Sequence, residues 1–97
     1  MLERDYQAIL IRKIKRLITG CEILITDPVM LQGIPDLLIL APSGKWGTLE
    51  VKASEKSRLR PNQEWYVQHW GAMAYSSFIY PENEEEVLRA LQQALAG

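Results

Sequence analysis

The chain has 97 residues, 47% hydrophobic and 24% charged, with a net charge of −1. That length makes one domain, expected over residues 1–97, and leaves no room for a second. No stretch reaches the roughly 18 apolar residues of a membrane span, and the lone Cys21 excludes an internal disulfide and fits a reduced, cytoplasmic setting.

Residues 2–19 read as a helix. Leu2, Tyr6, Ile9, Leu10, Ile14, Leu17 and Ile18 recur at spacings of three and four and make one apolar stripe. Gly20 is the expected stop, with Lys15 and Arg16 in the last turns, where the helix dipole favours cations. Residues 21–26 read as a strand that Asp27-Pro28 ends. Val29 to Gln32 is a loop leading into Gly33-Ile34-Pro35. Residues 36–40 and 46–52 form the next two strands, joined by a turn holding Pro42, Ser43 and Gly44. A turn centred near Gly44 pairs Asp36 with Lys52 and Leu38 with Glu50, which puts Asp36, Glu50 and Lys52 on one face.

Residues 53–60 make a polar, basic loop, and Pro61 is expected as the first residue of a helix running to about Trp70. Tyr75 to Tyr80 is a fourth strand, rich in aromatic and β-favouring residues. Asn83 reads as the N-cap of a last helix, with Glu86 completing a capping box. Trp46, Trp65 and Trp70 are expected in the core or at a subunit interface, and His69 at the surface or in packing.

Charge is uneven. Residues 1–60 hold ten Lys/Arg and seven Asp/Glu, and residues 61–97 hold one and five. This suits a molecule with one phosphate-facing side, although solvated surfaces give the same pattern. More telling are charges inside strands, where burial is costly without a partner or a metal. Asp36 and Glu50 on neighbouring strands can grip a hard cation such as Mg²⁺ through oxygen, with the Val51 carbonyl beside them. Lys52 can then position an attacking water and offset charge in the transition state. Such a set suits phosphodiester hydrolysis.

Pro35-Asp36, a gap of 13 residues, and Glu50-Val51-Lys52 resemble the PD-(D/E)XK nuclease motif. The flanks extend the likeness. A first helix bearing Glu3 and Gln7, the Gly33–Leu37 turn, Leu49–Ala53 and Leu59-Arg60-Pro61-Asn62-Gln63 resemble, in order, the virus-type replication-repair nuclease (VRR-NUC) pattern.

The resemblance implies an α/β, restriction-endonuclease-like fold, α-β-β-β-α-β-α, with a four-stranded mixed sheet flanked by helices. It implies Asp36 and Glu50 as metal ligands, Lys52 as the catalytic lysine, Glu3 as an additional acid and Gln63 near the site. Lys56, Arg58, Arg60 and Gln7 are the nucleic-acid-contacting candidates. The expected activity is a Mg²⁺-dependent DNA endonuclease (Mn²⁺ able to substitute), selective for structure and acting as a dimer on Holliday junctions or other branched DNA. The alternatives are a fork, flap or general nuclease, and a non-catalytic DNA-binding module. Arg60 stands where the family often has Ser or Thr before the proline, so a weaker helix cap is expected, by about 1 kcal/mol.

Overall fold

The computed structural model describes residues 1–97. Its elements are α1 (Glu3–Leu17), β1 (Glu22–Ile25), β2 (Leu37–Leu40), β3 (Trp46–Val51), α2 (Gln63–Gly71), β4 (Tyr75–Ile79) and α3 (Glu84–Ala94). The sheet order is β1-β2-β3-β4. β1, β2 and β3 are successive antiparallel neighbours, and β4 runs parallel to β3. A parallel neighbour requires a crossover, which α2 supplies.

Period two along the strands divides the side chains into two sets. Leu37, Ile39, Leu49 and Val51 are fully buried and join Tyr6, Leu10 and Ile14 of α1 with Val87, Leu88 and Leu91 of α3 and Leu95 beyond it. The opposite face carries Asp36, Leu38, Leu40, Thr48 and Glu50. It meets α2, whose Gln63 is hydrogen-bonded to Glu50. Tyr6 and Lys13 both donate to the Glu84 carboxylate, a clasp between α1 and the start of α3.

The hairpin corrects the expected register. Leu37 faces Leu49, and Leu40 faces Trp46, so Asp36 lies opposite Glu50, not Lys52. The turn is centred on Ser43. Gly44 donates to the Ala41 carbonyl, Ala41 donates to the Lys45 carbonyl, and Gly44 sits at φ +89°. This is the three-residue loop with a left-handed glycine at its end. The slip is two residues, an even number, so the face on which each side chain emerges is unchanged.

Three terminal expectations also change. α1 ends at Leu17, before Gly20 at φ +83°. Pro61 is not in α2, which begins at Gln63 behind Asn62 at φ 71°. Arg60 is therefore not at the cap position, and its N–H goes to Gln63 Oε1 at 2.8 Å. Asn83 does not form a capping box. Its Oδ1 accepts from Tyr80 N and its Nδ2 donates to Phe78 O, which ties the end of β4 to α3.

The tryptophans lie outside the buried core. Trp65 is 56% exposed and stacks on exposed His69 with ring centroids 4.5 Å apart. Trp46 and Trp70 are half-buried beside Leu38 and Leu40.

Candidate active site

Asp36 follows Pro35, which is fully buried. Thr26 holds this bend, its hydroxyl donating to Pro35 O at 2.7 Å and its N–H donating to Asp36 O at 2.9 Å. The Asp36 carboxylate turns to β3 and accepts the Val51 N–H at 2.9 Å. Continued past its last pair, the hairpin register sets Pro35 across from Val51, and proline has no N–H to donate. The Val51 carbonyl therefore receives no ladder bond from β2. Sequence reasoning passed over Thr26, because nothing in a terminal strand threonine signals which carbonyl it will reach.

Glu50 is 2% exposed. Its Oε2 accepts from Gln63 Nε2 at 2.9 Å, while its buried Oε1 has no partner. Burial first, and then the neighbouring Asp36 carboxylate, push the Glu50 carboxyl up to about 9. Lys52 pulls the other way, and Glu3 adds to the rise. A buried carboxylate with one orphaned oxygen must take up a proton or a cation.

Lys52 is also buried. Its ammonium donates to Gln63 Oε1 at 2.7 Å and to Arg58 O at 3.1 Å, and lies 4.0 Å from Glu50 Oε2. Gln63 is therefore a bridge. Its amide nitrogen serves Glu50, and its carbonyl oxygen takes Lys52 Nζ and Arg60 N. Those contacts fix which end of the amide is which, since neither the Lys52 ammonium nor the Arg60 backbone N–H could face its NH₂ group.

Glu3, at the first turn of α1, closes the set. One carboxylate oxygen each from Glu3, Asp36 and Glu50 lies within 4.8 Å of the others. A cavity of about 840 Å³ opens over these residues with Lys52 and Gln63 in its wall. Arg58 and Arg60, both exposed, stand on its rim. Lys56 is exposed on the same loop but does not line the cavity, and neither does Gln7, half-buried on α1.

Three convergent carboxylates, one with a buried unpartnered oxygen, match what a hard divalent cation takes as ligands, and a metal of the Mg²⁺ type fits them. A soft metal would find no thiolate or imidazole in this set.

No protein-family model and no curated protein matches the sequence. A solved structure described as a VRR_NUC domain superimposes with a TM-score of 0.70 at 20% identity, over 97% of this chain and 97% of that one. The chain thus has the fold of a VRR_NUC domain, a restriction-endonuclease-like arrangement.

Proposed function

We propose that the chain is a Mg²⁺-dependent nuclease that hydrolyses DNA phosphodiester bonds, with Mn²⁺ able to substitute. The observation that carries this is the buried, unpartnered Glu50 Oε1 among three carboxylates, with the Lys52 ammonium 4.0 Å from the other oxygen of Glu50. The fold shared with a VRR_NUC domain supports the same reading.

Asp36, Glu50 and Glu3 would hold the cation, with the Val51 carbonyl available beside them. When bound, Mg²⁺ supplies a Lewis acid for the phosphoryl oxygens and lowers the pKa of a water. The remaining work belongs to the chain. Lys52, held by Gln63 and Arg58 O, presents fixed positive charge to the reacting phosphate. A donor set before the reaction needs no reorganisation as charge develops. Arg58 and Arg60 take flanking phosphates, which position DNA without reading its sequence. Structure selectivity fits contacts that go to phosphates rather than to base edges.

We further read the protein as a homodimer acting on junctions or other branched DNA in repair, within a bacterial or phage-infected cytoplasm. Leu38, Leu40, Trp46 and Trp70 form a half-open apolar surface on the sheet, which supports self-association. The deciding experiment is a panel of labelled four-way, forked and linear DNAs cut in Mg²⁺, with Asp36→Ala and Lys52→Ala as controls. Loss of cutting in both variants with binding retained in Ca²⁺ is expected. Wild-type protein that binds but never cuts in Mg²⁺ or Mn²⁺ refutes the nuclease reading, and equal cutting of linear duplex refutes junction preference. Light scattering that gives a monomer at micromolar concentration refutes the dimer.

A further inference from the structure

The loop between β1 and β2 carries three consecutive apolar residues turned to solvent. Val29 is 88% exposed, Met30 82% and Leu31 50%. Single exposed apolar side chains need no explanation, but a run of three on a loop tip does. Turn bonds shape the segment from within. Val29 N donates to Asp27 Oδ1 at 2.9 Å, Met30 N to Asp27 O at 3.2 Å and Ile34 N to Leu31 O at 3.3 Å.

The loop is also anchored to the site. Asn62 Nδ2 donates to Gln32 O at 3.4 Å. Gly33, at φ +92°, lies so close to the segment before α2 that a Cβ there would come within 2.7 Å of Pro61 O. Pro61 and its neighbour Arg60 line the acidic cavity, and Asp36 follows Leu31 by five residues. The loop that carries the apolar tip is thus tied, through Gln32 and Gly33, to the segment that carries Arg60 of the cationic rim.

We propose that the Val29-Met30-Leu31 tip seats against an exposed base-pair face of the DNA whose backbone enters the cavity. This rests on the nuclease reading above and adds to it the feature the protein recognises. Intact duplex shows the tip only phosphates and groove edges. An end, a nick or a branch point exposes a base face, and apolar side chains wedge against such faces. Arg58 and Arg60, on the segment that leads to the Pro61-Asn62 anchor of this loop, favour a polyanion as occupant, since an apolar protein surface spanning loop and rim would have to bury guanidinium groups.

The test is the triple variant Val29→Ser, Met30→Ser, Leu31→Ser. Thermal melting checks that it remains folded. The probes are a DNA with 2-aminopurine at the terminal base pair of a branch or duplex end, and a covalently closed duplex circle. Wild-type binding in Ca²⁺ is expected to change 2-aminopurine fluorescence, and the variant to lose that change. In Mg²⁺ the variant is expected to raise KM for ended or branched DNA by about tenfold, the scale of one or two apolar side chains left in water, with kcat little altered. The preference for ended over closed DNA falls towards one.

Unchanged fluorescence and KM in the variant overturn the proposal. So does light scattering in which the variant alone becomes monomeric, which assigns the tip to a second copy of the chain. Wild-type protein that gives the fluorescence change but cuts no DNA refutes the nuclease reading and leaves the tip's role standing. Wild-type protein that binds none of these DNAs overturns both.

Discussion

Glu50→Gln is expected to make the metal-free protein more stable while abolishing cleavage. Glu50 is 2% exposed, and its carboxyl is raised from 4.5 to about 9 in the folded chain. The sign follows from which state holds the proton. Between these two values the folded protein keeps the proton and the unfolded chain releases it. The stability is therefore fully present below about pH 4.5 and is lost as pH rises towards 9. At pH 8, about 3.5 pH units above the unfolded value and with 1.36 kcal/mol per unit, the ceiling is about 5 kcal/mol. Side-chain relaxation and water entry reduce this to a few kcal/mol. Glutamine keeps the volume, accepts from Gln63 and can donate to Asp36, without a charge to bury. A gain of even about 1 kcal/mol raises Tm by about 4–8 °C in a domain of this size.

The assay is thermal melting in EDTA from pH 5 to 8, repeated with Mg²⁺. The variant is expected to melt higher at pH 8, with the difference shrinking towards pH 5. Mg²⁺ is expected to raise the wild-type Tm and leave the variant's unmoved. A variant that melts at or below wild type at pH 8 without metal, or a difference independent of pH, refutes the account of a strained carboxylate.

Three other changes probe the rest of the site. Lys52→Ala is expected to lower kcat by about 10²–10³, as for loss of one preorganised donor, with junction binding in Ca²⁺ kept; activity within tenfold of wild type contradicts the role given to its ammonium. Gln63→Leu leaves Glu50 Oε2 and Arg60 N without their partner and strips one from Lys52 Nζ. A loss of about 2–4 kcal/mol is expected by urea unfolding, and a loss below 0.5 kcal/mol shows the bridge to be incidental. Gly33→Ala combines a left-handed φ of +92° with a contact to Pro61 O and is expected to cost about 1–3 kcal/mol. A Tm within 1 °C of wild type would show that the loop does not rest on the α2 approach.

Much of the fold is legible in local pattern. The threefold and fourfold spacing of Tyr6, Leu10 and Ile14 marks the buried stripe of α1, and all three are buried. Alternation in β2 and β3 sorts core side chains from the face that carries Asp36 and Glu50, and it does so although the observed register differs by two residues from that of a turn centred on Gly44. Period two makes face assignment insensitive to an even slip. Which residue faces Asp36 depends instead on the turn, where Gly44 ends a three-residue loop rather than centring it.

Sequence by itself determined the order of elements, the two faces of the sheet and the presence of charges where strands bury them. Those features depend on periodicity and on composition within a few residues. Tertiary structure alone decided how closely Glu3 approaches Asp36 and Glu50, that Gln63 bridges Glu50 and Lys52 through the two ends of its amide, that Asn83 reaches back to β4 instead of capping α3, and that the tryptophans remain outside the core. Each of these depends on where a distant element comes to rest. Packing sets that position, and no local spacing encodes it.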